Sequence, residues 1–245
     1  MNDKLDVLAF GAHPDDVEIM CAGTLVKLAR EGYKVGMISL TGGESGTRGT
    51  PQDRKKEFTT ATAIMSLKTG EILDIPDGQV HVSEANKIKV IKTLRKYRPK
   101  IVMAPHWETR HPDHSQCSYL VRQAVFASGL KNLDTGQQHY RPKNLFYYME
   151  LYDFTPSFII DISETFEIKL QAIQAHQSQF YNPDENNKEQ EQTFISSPEF
   201  FDYIRIRAQY WGHKMGVAYG EPFYVREPVG LQKAGDLLHI KTFWR

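Results

Sequence analysis

Short apolar runs rich in β-branched residues alternate along this chain with longer amphipathic stretches. That repeated change of hydrophobic period is what most limits the folds open to it. Leu5–Gly11 reads as a buried strand and Val17–Glu31 as a helix, with Gly32 placed to cap its end. Tyr33–Leu40 reads as a second strand, and the Gly-rich stretch Thr41–Pro51 leads into a helix over Asp53–Leu67. Glu71–Asp74 suits a short strand. Ser83 is a natural N-cap for a helix running to Arg98, where Pro99 stops it. Lys100–Ala104 then reads as a strand and Asp113–Leu130 as a helix. Leu145–Met149 and Phe158–Ile162 suit two further strands, and Ser163 is placed to cap a helix reaching Phe180. Ser197-Pro198-Glu199 has the cap-then-Pro order of a helix start, for a helix to Met215. The polar stretch Tyr181–Gln192 predicts a mobile surface loop.

A βαβα rhythm of this kind predicts an α/β fold, a Rossmann-like and mostly parallel sheet with helices on both faces. With no repeat and no Pro/Gly-rich linker, residues 1–245 are expected to form a single domain. Lys plus Arg and Asp plus Glu each number 30, so the net charge is zero with His neutral. That balance argues against a nucleic-acid partner. No apolar run approaches the roughly 20 residues of a membrane span, and the first residues lack the pattern of a secretory signal. The two cysteines, Cys21 and Cys117, form no C-x-x-C pair, which argues against a disulfide scaffold or a thiolate zinc site. The expected address is the cytoplasm, and a homo-oligomer is open.

In sheets of this type, ligands bind beyond the carboxyl ends of the strands. The rule points to the turn after Gly11, the loop after Leu40 and the segment after Ala104. Ala12-His13-Pro14-Asp15-Asp16 occupies the first of these. His13 and Asp16, three residues apart at a helix start, can face one ion, and imidazole and carboxylate are ordinary zinc ligands. The plainer alternative is that Asp15 or Asp16 caps the helix. His111-Pro112-Asp113-His114 occupies the third place. It could supply one ligand and one acid–base group, or could be a surface turn. Three ligands drawn from the two segments would leave an open position on zinc, the catalytic pattern rather than the structural one.

These two segments, A-H-P-D-D and H-P-D-H, resemble the paired hallmarks of the LmbE-like zinc N-deacetylases related to the phosphatidylinositol-glycan de-N-acetylase (PIG-L). The resemblance covers the first half of the chain by motif and continues more loosely to the end. It implies zinc held by His13, Asp16 and His114, with Asp15 as general base. It also implies that His111 protonates the leaving amine or stabilises the oxyanion, with Asp113 orienting it. Within the family the chain is most similar to the branch that deacetylates N-acetylglucosaminyl-malate in bacillithiol biosynthesis. Phe10–His13, Arg110–His114, Phe146–Met149 and Ser178–Phe180 carry that similarity. Some relatives have Tyr two residues before the first His of H-P-D-H, where this chain has Thr109. The other substrates the resemblance allows are another GlcNAc conjugate or a chitin-type oligosaccharide. A non-catalytic sugar-binding module on the same fold is the alternative from a different class.

A malate aglycone would present carboxylates, which Arg forks bind well. Arg54, Arg110 and Arg141 are the candidates, with Arg110 favoured because it adjoins the second motif. The loop Thr41–Gly49 lacks the Gly-Lys-Ser/Thr ending of a phosphate-binding P-loop, so it is read as a flexible wall of a sugar site. His106 and the remaining histidines are assigned packing or surface roles.

Overall fold

A computed structural model describes residues 3–181, 191–231 and 233–235. Seven strands form one sheet in the order β3-β2-β1-β4-β5-β7-β6. The strands are β1 (Val7–Gly11), β2 (Val35–Ser39), β3 (Thr69–Ile72), β4 (Ile101–Pro105), β5 (Asn144–Tyr148), β6 (Phe158–Asp161) and β7 (Gly220–Tyr224). The first five run parallel, whereas β7 is antiparallel to both β5 and β6. The helices are α1 (Asp16–Arg30), α2 (Pro51–Ile64), α3 (Glu84–Tyr97), α4 (Pro112–Ser128), α5 (Phe166–Gln174) and α6 (Glu199–His213).

The strand period of two assigns the helices to faces. Leu8 and Phe10 of β1 pack with Val90 and Leu94 of α3 and with Leu120 and Val121 of α4. Val7 and Ala9, one residue out of phase, pack with Leu25 of α1, Phe58 of α2 and Ala172 of α5. All five residues of β1 and of β2 are buried, as expected for inner strands covered on both sides. The doubly covered sheet is thus the one expected from sequence.

Two expectations need correction. Ser163 does not cap α5: its hydroxyl donates to Asp161 Oδ1 at 2.6 Å, and the helix begins only at Phe166 and ends at Gln174. The second is β7, which the sequence pattern does not suggest because Pro222 breaks a strand pattern and Glu221 is charged. Pairing of β7 with β5 is confined to Phe223 and Tyr224, so Pro222 lies beyond that ladder. Glu221 is only 2% exposed, but it accepts from the amides of Gly23 and Thr24 and from Lys169 Nζ. Those amides follow Cys21, where α1 departs from helical geometry. Most of the stretch Tyr181–Gln192 lies outside the described residues. Among the described residues, no helix is long and apolar enough to cross a membrane.

Candidate active site

Because β1, β3, β4 and β5 run parallel, the segments that follow them emerge at one end of the sheet. There they line a cavity of about 520 Å³ whose floor includes His13, Asp15, Asp16, His111 and His114.

Asp16 opens α1, and its Oδ2 accepts from the backbone N–H groups of Ala12 (2.8 Å) and His13 (2.9 Å), which fixes the carboxylate against the preceding turn. Its Oδ1 lies 3.2 Å from His114 Nε2. His13 Nδ1 lies 3.2 Å from that same Nε2 and 3.7 Å from Asp16 Oδ2. Donors about 2.0–2.1 Å from a tetrahedral zinc ion sit about 3.3 Å apart, so Asp16 Oδ1 and His13 Nδ1 each stand at ligand spacing from His114 Nε2, whereas His13 Nδ1 meets Asp16 through its other oxygen. His111 also offers a ring nitrogen within 4.8 Å of those of His13 and His114.

The far nitrogens of the two ligand-type histidines are held by acids. His13 Nε2 is 2.9 Å from Asp77 Oδ1, and His114 Nδ1 is 2.8 Å from Glu150 Oε2. A carboxylate behind each imidazole fixes the ring and the tautomer and raises its basicity toward a metal. Burial works against protonation of His13, but bonds to Asp113 and Asp77 outweigh it and push its pKa up to about 9. His114 is likewise raised, with the fields of Asp16 and Glu150 overcoming burial. Two imidazoles backed by carboxylates, with the Asp16 carboxylate beside them, make a nitrogen and oxygen donor set ringed by acids and suited to a divalent cation. The donor set therefore fits zinc.

Asp15 is the N-cap of α1, yet its side chain makes no capping bond. Its φ of 117° is in a region that residues other than glycine rarely adopt, a strain of order 1–3 kcal/mol. The capping reading of Asp15 therefore fails, and its carboxylate is left facing the cavity. Burial pushes its pKa up to about 6, opposed by the Arg54 guanidinium.

Arg54, a candidate for gripping substrate, lines the cavity, but both of its terminal nitrogens bond to the protein. It is 4% exposed, and it donates to Pro14 O at 2.7 Å, Gly43 O at 3.1 Å and Asp15 Oδ2 at 3.4 Å. Gly43 has a φ of +66°, and a Cβ there would meet the Arg54 guanidinium at 2.2 Å, so glycine is required. Arg141 needs correction. It precedes β5, at the opposite end of the sheet, where it lies over the Phe126 ring and donates twice to Phe126 O. Arg110 lines the cavity, exposed, with its guanidinium 5.5 Å from the Phe194 ring centre.

Asp113 does not orient His111 through its carboxylate. Its Oδ2 accepts from Gly78 N at 2.8 Å and approaches His13 Nε2 at 3.5 Å. Its backbone N–H donates to His111 Nδ1 at 3.2 Å instead, so His111 caps α4 and its neutral ring carries the proton on Nε2. Burial and the neighbouring imidazoles lower the His111 pKa. His106 packs as expected, stacked on Trp107 at 3.9 Å between ring centres.

Asp77 and Glu150 escape the sequence reading. Both follow strands, β3 and β5, so the rule that picks out the other segments would reach them if it were applied to every parallel strand. Thr109, where some relatives carry Tyr, donates its hydroxyl to Glu150. Ser45, Gly46 and Thr47 line the cavity, and Ser45 N donates to Asp77 Oδ2 at 2.9 Å, so the Gly-rich loop does form a wall of it.

An α/β sheet that gathers two imidazoles and a carboxylate around one point, with an uncapped carboxylate beside them, defines a candidate metallohydrolase. The chain matches the family model for GlcNAc-PI de-N-acetylase (PIG-L) over residues 8–125, which holds both motifs. It is 30% identical to the diacetylchitobiose deacetylase of Thermococcus kodakarensis over 235 residues, spanning 90% of this chain and 82% of that relative. It is 26% identical over 200 residues to the "Probable N-acetyl-alpha-D-glucosaminyl L-malate deacetylase 2" of Bacillus anthracis, spanning 74% of this chain and 84% of that one. Among solved structures, the conserved protein TT1542 from Thermus thermophilus superposes with a TM-score of 0.84 at 34% identity, covering 94% of this chain and 98% of that one. The chain belongs to the PIG-L, or LmbE-like, deacetylase family.

Proposed function

We propose that this protein is a zinc-dependent hydrolase that removes the acetyl group from an N-acetylglucosamine conjugate. The observation that carries the reading is the convergence of His13 Nδ1, Asp16 and His114 Nε2 beside the uncapped Asp15. His13, Asp16 and His114 would hold the zinc, which when bound supplies Lewis-acid polarisation and a lowered pKa for water. Asp15, buried and raised toward neutrality, takes the proton of the attacking water and can return it to the departing amine. His111, with its proton on Nε2, donates a hydrogen bond to the acetamide oxygen as charge develops there. Arg54 holds Asp15 in place from behind, through Pro14 O and the carboxylate itself.

The relatives frame two aglycones, malate and a second sugar. Bacillithiol biosynthesis would call for malate. Of the two candidate arginines that line the cavity, Arg110 is exposed and free of the backbone bonds that hold Arg54, which favours it for the malate carboxylates. A second sugar is favoured by the cavity's aromatic and apolar side, where Phe194 is 48% exposed beside Met20, Leu151 and Ile195. Sugar faces are well suited to such a wall. Catalytic efficiency on GlcNAc-malate and on N,N'-diacetylchitobiose, each against free GlcNAc, separates the two readings. Equal efficiency on all three would remove both aglycone assignments and leave the deacetylase reading standing.

A further inference from the structure

Gln179 lines the catalytic cavity and is 6% exposed. Its amide nitrogen Nε2 donates to Arg48 O at 2.6 Å and to Ser178 Oγ at 2.9 Å. A backbone carbonyl can only accept, so the contact with Arg48 O fixes which end of the amide is nitrogen. Ser178 Oγ gives its own hydrogen to Glu57 Oε2 at 2.8 Å, which leaves its lone pairs for Gln179. Both hydrogens of Nε2 are therefore spent on the protein. The carbonyl end is not: Oε1 meets no donor among the described residues, and it is not sealed from solvent.

Several elements hold this amide in place. Arg48 and Gly49 continue the Gly-rich wall, whose Gly46 and Thr47 line the cavity. Gly49 has a φ of +73°, and a Cβ there would collide with Ser178 Oγ, so glycine lets the wall approach this closely. Glu57 of α2 also accepts from Ser178 N at 2.7 Å, and Arg48 Nε donates to Ser178 O at 3.0 Å. Gln179 N donates to His176 O at 2.9 Å, and the buried His176 ring bonds Glu18 of α1, the helix that follows Asp15. The amide cannot turn without breaking these bonds, and its one free group is an acceptor at the cavity wall.

We propose, resting on the deacetylase reading, that Gln179 is a specificity-determining residue whose Oε1 accepts a hydrogen bond from a ring hydroxyl of the N-acetylglucosamine unit. An acceptor without a partner calls for a donor. The carboxylates of a malate aglycone only accept, so they do not meet it. The acetamide has to reach the metal donors, which leaves the ring hydroxyls for this wall. A carbonyl fixed in direction before the sugar arrives loses little freedom when it binds.

The test measures acetate release by the zinc-loaded chain from the better of GlcNAc-malate and N,N'-diacetylchitobiose. The same is done with its 3-, 4- and 6-deoxy analogues, altered in the ring that loses acetyl. One analogue should lose about 3- to 10-fold in kcat/KM with the wild type, the range for one neutral hydrogen bond whose place water can take. Gln179→Met, which keeps the length and removes the acceptor, should lose at least that factor on the parent compound. It should then treat that one analogue and the parent alike, while any penalty on the other analogues stays as in wild type. A merely structural role would lower every substrate together and leave all the deoxy penalties in place, which would overturn the proposal. Equal wild-type efficiency on the parent and all three analogues would overturn it too. Crystals of Asp15→Asn with zinc and the parent give a measurement that needs no change at Gln179. They should place the same hydroxyl within hydrogen-bond reach of Oε1, and a sugar with no hydroxyl there would contradict the proposal. No release from the parent or any analogue would overturn the deacetylase reading, and this proposal with it.

Discussion

Asp15 combines a left-handed backbone, burial and a carboxylate that caps nothing and meets Arg54, features that support the proposed role of a base in the cavity. Asp15→Asn preserves the shape and removes the base. It should retain zinc, measured by metal analysis, while turnover falls by about 100- to 10,000-fold. Near-normal turnover with zinc bound would show that another group takes the proton. Glu150 stands behind His114, so Glu150→Gln should leave the fold intact and weaken zinc by about 10- to 100-fold in competition with a chelator. Unchanged affinity would reduce Glu150 to a buried partner of Thr109. Arg110→Ala should lower efficiency on GlcNAc-malate while changing free GlcNAc little, if malate is the aglycone. A loss confined to the disaccharide would place Arg110 with Phe194 on the sugar-facing wall instead. At this scale the sequence discloses the residues that sit in short motifs with ligand spacing, His13, Asp16 and His114. It hides Asp77 and Glu150, because a lone acid in a loop has no spacing partner to mark it. It misplaces Arg141, because a guanidinium's partners are set by tertiary contact, and it does not disclose that Arg54, though it lines the cavity, bonds to Pro14 O, Gly43 O and Asp15.

Among the elements, those that follow a clear hydrophobic period are legible to within a few residues, β1 through α4 above all. The exceptions are physically specific. β7 carries Pro222 and Glu221, and its place between β5 and β6 depends on Glu221 finding two backbone amides and Lys169 across the sheet. Nothing local in the sequence records that arrangement. The start of α5 is displaced because Ser163 bonds backward to Asp161 instead of forward into the helix. The Lys169–Glu221 pair makes a direct test of how β7 is held. With Lys169 4% and Glu221 2% exposed, Lys169→Met leaves a buried carboxylate without its cation. Urea unfolding should show a loss of about 3–5 kcal/mol. A loss below about 1 kcal/mol would mean that the Gly23 and Thr24 amides suffice to hold Glu221.

At the scale of the whole molecule, the parallel order β3-β2-β1-β4-β5 gathers groups from distant parts of the chain at one end of one sheet. His13 follows β1, Asp77 follows β3, His111 and His114 follow β4, and Glu150 follows β5. No two of these segments are neighbours in sequence, so the site exists only when the sheet has formed. The measurement that tests the central claim most directly is acetate release from GlcNAc-malate and N,N'-diacetylchitobiose by chelated protein, before and after titration with zinc. The account predicts no release from the chelated chain and full release on return of one zinc per chain, in both cases from whichever conjugate is the substrate. Full release that persists after complete chelation would contradict it, as would no release from either conjugate with one zinc bound at His13, Asp16 and His114.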